Sequence, residues 1–268
     1  MRCLGLIGGI GWESTAIYYR LLNQRIQQRF GGLHTPPLLL HSLEFHVLQA
    51  LVREGRWHEV AGLLGHVAQT LERAGAGAVL VCSNQMHYVA DRIEAGLTVP
   101  FLHVGDAIVE ALRAERIKRV GLLGTRFTLE QGFLLRRKPA GRQGMLQIET
   151  PDPADQGRLE RIIFSELCQG LVRESSREEV LLMIRLLRDR NVQAIVLASS
   201  ELATLLRPED FAGPIFDSTE LHCAAAVRWM LDEDTPRVDL TRTTLTAEPG
   251  GRVIKRSHLS PLKLVRHP

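Results

Sequence analysis

Gly5-Leu-Ile-Gly-Gly9, near the start of the chain, returns as Gly121-Leu-Leu-Gly-Thr125, and Gly77-Ala-Val-Leu-Val-Cys-Ser-Asn84 returns as Ala194-Ile-Val-Leu-Ala-Ser-Ser-Glu201. A third pair, Val99-Pro-Phe-Leu and Gly213-Pro-Ile-Phe, follows in the same order. The separations are retained, 77 positions from Gly5 to Cys82 and 78 from Gly121 to Ser199. Two short apolar runs often match by chance, but three segments in one order at one spacing are the mark of a duplicated half. Each run is rich in β-branched and small apolar residues and ends in Gly, Ser or Asn, as expected of strands buried on both faces.

Working outward, strands are expected at Cys3 to Ile7, Pro37 to Ser42, Ala78 to Cys82, Phe101 to Val104, Val120 to Leu123, Gln147 to Glu149, Ala194 to Ala198 and Ile215 to Phe216. Longer amphipathic segments alternate with them, from about Glu13 to Arg29 and Trp57 to Ala74, and this alternation predicts an α/β fold of mostly parallel sheets with crossover helices. The helix over roughly Ser218 to Leu231 is expected to return to the first half. The implied organisation is a first lobe of residues 1–115 plus 216–232, a second lobe of 116–215, and an extension of 233–268 with weak strand alternation at Arg252 to Ile254. Ligands of such sheets bind beyond the carboxyl ends of the strands, so a cleft between two facing halves is the expected site.

The 268 residues carry 33 Lys and Arg against 30 Asp and Glu, a formal +3, and part of that excess lies in the tail at Arg252, Lys255, Arg256, Lys263 and Arg266. A nearly neutral body argues against a broad nucleic-acid footprint. No apolar run reaches the length of a membrane span, and the N-terminus lacks a signal-peptide cleavage pattern, so a soluble cytoplasmic protein is expected. Cys3, Cys82, Cys168 and Cys223 show neither CxxC nor His-rich spacing, which points to no metal site and no disulfide framework. Gly8, Gly9 and Gly11 fall short of a GxGxxG fingerprint, so no nucleotide cofactor is indicated.

Cys82 ends a strand among Ser83, Asn84 and Gln85, where amide donors can bring a thiol into the range of a working base. An arbitrary strand-end Cys is more often a core residue; the polar neighbours and the repeat partner Ser199 favour a functional role. Gly9, Ser14, Ser83, Asn84, Gln85, Thr125, Ser200 and Glu201 are the candidates for holding substrate, short or hydrogen-bonding groups at strand ends that suit a carboxylate. Thr128 with Gln131 forms a plausible helix capping box needing no function. His87 divides evenly between packing and orienting the Cys82 loop, with His103 a weaker candidate. Cys168 reads as core, and Cys3 and Cys223 as structural.

Taken together, Gly5 to Gly9 with Trp12-Glu-Ser-Thr15 and Tyr18-Tyr19-Arg20, Leu40-His-Ser42, Gly55-Arg-Trp57, Cys82 with Asn84, Met86-His87, Pro100-Phe-Leu-His103 and Leu123-Gly-Thr-Arg126 resemble the cofactor-independent aspartate/glutamate racemases, over residues 2 to about 231. The resemblance implies two flavodoxin-like lobes, frequent homodimerisation, a small acidic amino acid held between the lobes, and no cofactor. It implies that one cysteine takes the α-proton from one face and a second returns it to the other. The first is matched to Cys82; the second falls at Ser199, where the family pattern Cys-Thr-Glu reads Ser199-Ser200-Glu201. A serine hydroxyl is a far weaker acid than a thiol, so two-base racemisation is expected to be weakened. Gly11, Val52, Ser83 and Gln85 also depart from the family pattern. The alternatives are one-sided proton chemistry, such as decarboxylation or isomerisation, and a catalytically inactive binding protein.

Overall fold

In the computed structural model, which describes residues 1–135, 146–206, 210 and 213–231, the repeated segments form strands of two parallel sheets. In the first sheet β1 (Leu4–Gly8) lies between β2 (Leu38–Ser42) and β3 (Ala78–Val81). In the second, β4 (Arg119–Gly124) lies between β5 (Gln147–Glu149) and β6 (Ala194–Ala198), with β7 (Ile215–Asp217) beyond β6. Parallel neighbours need long crossovers, and the helices supply them: α1 (Trp12–Phe30), α2 (Phe45–Arg53), α3 (Trp57–Arg73), α4 (Ala90–Glu94) and α5 (Val104–Ala114), then α6 (Arg126–Gln131), α7 (Pro153–Ser165), α8 (Glu174–Asp189), α9 (Leu202–Leu205) and α10 (Ser218–Met230). Helices on both faces leave β1, β3 and β6 buried along their whole length, which is why these strands read as continuous apolar runs.

The two sheets share a register. Gly5 stands opposite Val79 and Ile7 opposite Val81, while Gly121 stands opposite Ile195 and Leu123 opposite Leu197. Both glycines lie under a crossing helix: a Cβ at Gly5 would sit 3.1 Å from that of Leu71 on α3, and one at Gly121 would sit 3.4 Å from that of Leu187 on α8. Carrying the equivalence of Gly5 with Gly121 along the strands pairs Val81 with Leu197, Cys82 with Ala198, and Ser83 with Ser199. The sequence alignment that set Cys82 against Ser199 is thus one residue out of step with the sheets.

Three expectations change. The run from Phe101 to Val104 makes a single bridge, Phe101 to Val79, because the chain leaves the sheet at His103, whose side chain accepts from the Gly105 N–H and caps α5. Helix α2, not anticipated, is capped by Glu44, whose carboxylate accepts from the N–H groups of His46 and Val47. The capping role expected of Thr128 belongs to Thr125, because β4 runs directly into α6 and leaves Thr125 as the residue before the helix. Helix α10 does return to the first half, where Cys223, Ala226 and Met230 pack with Tyr18 and Leu22 of α1, and Leu221 with Ile108 of α5. The residues from 233 onward, including the weak strand at Arg252 to Ile254, lie outside the described residues.

The turn after β1 has a sharp steric requirement. Gly9 has φ +78°, and a Cβ there would stand 2.1 Å from the Leu43 carbonyl oxygen and 2.4 Å from its nitrogen. Nothing lies within 4 Å of a Cβ at Gly11. Gly9→Ala is therefore expected to destabilise by about 3 kcal/mol through left-handed strain and backbone overlap, whereas Gly11→Ala should stay within about 0.5 kcal/mol of wild type; urea unfolding midpoints of the two variants check the contrast.

Candidate functional site

The carboxyl ends of β1, β3, β4 and β6 face one another across an open cleft enclosing about 470 Å³. From the first half Ser14, Ser83, Asn84 and Gln85 line it; from the second, Thr125, Ser199, Ser200 and Glu201. Ser83 and Ser199, equivalent in register, lie just beyond the carboxyl ends of β3 and β6. Trp57 of α3 stacks on Phe127 of α6 with ring centroids 4.5 Å apart, a direct contact between the two halves.

Two sequence candidates are placed elsewhere. Side chains alternate faces along a strand, so Cys82 shares the side of Ala78 and Leu80 and packs with Tyr18 and Cys223 in the first core. Its exposure is 0 %, and burial pushes its thiol far above the usual range. It does not line the cleft. Gly9 is also absent from the lining, with its N–H donating to Thr15 Oγ1 at 2.8 Å. Conversely, the sequence reading put Cys168 in the core, yet it lines the cleft. Helix α7 ends at Ser165, the chain kinks at Glu166, and a short 3-10 turn over Leu167–Gln169 ends at Gly170, φ +75°, swinging Cys168 to the cleft wall. The Gly170 stop was the available signal. Burial, then the carboxylates of Glu201, Glu13 and Glu160, push the Cys168 thiol up to about 12.

A hydroxyl network crosses the cleft floor. Ser199 Oγ donates to Glu201 Oε2 at 2.7 Å. Ser200 Oγ lies 3.0 Å from the same oxygen and 2.7 Å from Ser14 Oγ, and with one proton it serves one of them at a time. Ser14 in turn donates to the Cys82 carbonyl at 2.7 Å. Ser14, from α1, and Ser200, from the end of β6, thereby tie the two halves together. Asn84 Nδ2 donates to Ser218 Oγ at 2.8 Å, while its Oδ1 is buried without a partner among the described residues.

Histidines brace this floor from behind. His87 Nε2 accepts from the Val104 N–H at 3.2 Å, so Nδ1 carries the proton and donates to the Ser83 carbonyl at 2.9 Å. His87 therefore orients the turn that carries Ser83. His222, fully buried, donates from Nε2 to the Leu102 carbonyl and accepts from the Tyr18 hydroxyl, both at 2.9 Å. Among the described residues no group of three or more His, Cys, Asp or Glu is arranged to hold a metal ion, and no helix is long and apolar enough to cross a membrane.

This architecture can be compared with known proteins. The model of the Asp/Glu/hydantoin racemase family matches residues 7–226. The chain belongs to that family. Among solved structures it is similar to an Asp/Glu racemase candidate from Yersinia pestis, with 41% identity and a TM-score of 0.78 over 86% of this chain and 100% of that one. An aspartate racemase homologue from Pyrococcus horikoshii OT3 shares 27% identity with a TM-score of 0.74, again over 86% and 100% of the two chains. The aspartate racemase of Picrophilus torridus, at 19% identity and a TM-score of 0.66 over 86% of this chain and 94% of that one, shares the fold. The two-lobed fold of that family thus frames the cleft.

The buried imidazole makes a pH-dependent contribution. Burial lowers the His222 pKa from 6.5 to about 4, so between those values the unfolded chain binds the proton that the fold refuses. Stability from this group is complete above pH 6.5 and is lost as pH falls towards 4, by about 3 kcal/mol in all. Asp217, raised to about 7 by burial and by Glu220, slopes the other way between about pH 4 and 7. A His222→Gln variant should be less stable than wild type by a constant amount above pH 7, and the gap should shrink by about 3 kcal/mol by pH 4; urea titrations across that range read it directly.

Proposed function

We propose that the protein is an enzyme of the family's proton-transfer type, acting at the carbon next to a carboxylate of a small amino-acid-like substrate, and that the proton is handled on the second-lobe face of the cleft. The observation that carries this reading is the 2.7 Å hydrogen bond from Ser199 to Glu201, set opposite Ser83. Hydroxyls cannot serve as the working bases at neutral pH. Among the described lining residues the titratable groups are Glu201 and Cys168, both on the second half. Glu201 takes the proton as the Cα–H bond breaks, and the electron pair moves into the substrate carboxylate as an enediolate. Ser83 and Gln85 hydrogen-bond that developing charge. Return of the proton from the same face gives exchange without inversion, with no PLP in the scheme.

This reading moves the first-lobe position from Cys82 to Ser83, on the burial of the Cys82 side chain and the shared register of the sheets. The second reading, a binding protein that retains the cleft without turnover, draws on the same pair of hydroxyls. Proton NMR of L- and D-amino acids in deuterated buffer separates them. Wild type should exchange the α-hydrogen of one enantiomer, Glu201→Gln should lose about 100-fold or more of that rate, and Cys82→Ala should keep it within a few-fold. Combined Ser83→Cys and Ser199→Cys should add inversion. Loss of exchange in a folded Cys82→Ala protein, or full exchange in Glu201→Gln, contradicts the assignment.

A further inference from the structure

No Lys or Arg appears among the described residues lining the cleft. Glu201, which does line it, is an acidic residue, and the Glu13 and Glu160 side chains join it around the Cys168 thiol in the cleft wall. A second carboxylate on a substrate would enter a field of its own sign with no described cation to meet it. Besides the uncharged Ser, Thr, Asn and Gln side chains, the wall carries an apolar face of Ile10, Phe45, Met86, Ile163 and Phe164. Ile10, Met86 and Ile163 are buried in the fold, so this surface is rigidly set. On the first-lobe side, the Ser83 hydroxyl and Gln85 carboxamide face the cleft, and the buried Asn84 Oδ1 lacks a partner. The Ser83 hydroxyl and the Gln85 amide offer donors for about one carboxylate, whereas Asn84 Oδ1 is an acceptor.

From this juxtaposition of uncharged hydrogen-bonding groups, an apolar face and acidic surroundings, we infer that the cleft selects a substrate with a single carboxylate and an apolar substituent, and discriminates against dicarboxylates such as aspartate and glutamate. The inference rests on reading this cleft as the substrate site, and it departs from the acidic amino acid that the sequence resemblance implied. An apolar side group gains burial against the wall. A second carboxylate loses its hydration there without repayment.

The test is equilibrium binding by calorimetry with the full chain, using both enantiomers of leucine and phenylalanine, phenylacetate, aspartate, glutamate and succinate as probes. The apolar monocarboxylates should bind about ten-fold or more tightly than any dicarboxylate, and phenylacetate against phenylalanine tells whether the ammonium group is needed. Phe45→Arg, which places a cation on the half-buried part of the wall, should tighten aspartate binding about ten-fold. Wild type binding aspartate or glutamate more tightly than every apolar probe overturns the inference, and so does the absence of saturable binding by any apolar probe. Tight apolar binding without α-hydrogen exchange leaves the selectivity standing and removes the proton-transfer reading; exchange of aspartate with no apolar binding does the reverse.

Discussion

Parallel pairing of β1 with β3 and of β4 with β6 decides which side chains can reach the cleft. In a buried strand the side-chain period is two, so the choice of residue at the strand end is also a choice of face. With Val79 and Val81 turned towards α3, Leu80 and Cys82 must turn towards α1 and α10, into the cluster of Tyr18, Leu22 and Cys223. Ser83 is then the first residue free of the ladder, as Ser199 is on the other half. The sulfur is consigned to the core by the same hydrophobic packing that holds the strand.

The cleft floor follows from that arrangement. Because the two strand ends point at each other, Ser14 and Ser200 meet across the gap, and their link passes to the Cys82 carbonyl on one side and towards Glu201 on the other. His87 fixes the Ser83 turn from below, and His222 fixes α10 to Leu102. Apart from Asn84 Oδ1 the floor groups bond to one another, and the titratable side chains among the described lining residues, the Glu201 carboxyl and the Cys168 thiol, both lie on one half. That asymmetry separates this cleft from a symmetric two-thiol exchange of protons, although the scaffold is that of the racemase family.

The strands, the duplication and most of the polar part of the cleft lining were legible in the sequence because buried parallel strands advertise themselves as apolar runs and their ends as polar turns. The one-residue offset between Cys82 and Ser199 was not visible by counting: 77 and 78 positions look like equal spacings with an insertion, whereas only the ladder shows that both halves keep one register. Cys168 was hidden because its neighbours continue a helical pattern, and the kink at Glu166 that redirects it depends on tertiary packing, with Ser176 of α8 donating to the Glu166 carboxylate at 2.6 Å. Helix α2 was missed because its nine residues carry a single buried side chain, Leu48.

The central claim, that position 83 and not position 82 faces the cleft, is tested most directly by mapping alkylation with a small thiol reagent by mass spectrometry, on wild type and on Ser83→Cys under native conditions. Cys82 should remain unmodified in both proteins until they are unfolded, while the thiol introduced at position 83 reacts in the folded state. Rapid modification of Cys82 in folded wild-type protein would contradict the account and return the first-lobe role to that residue.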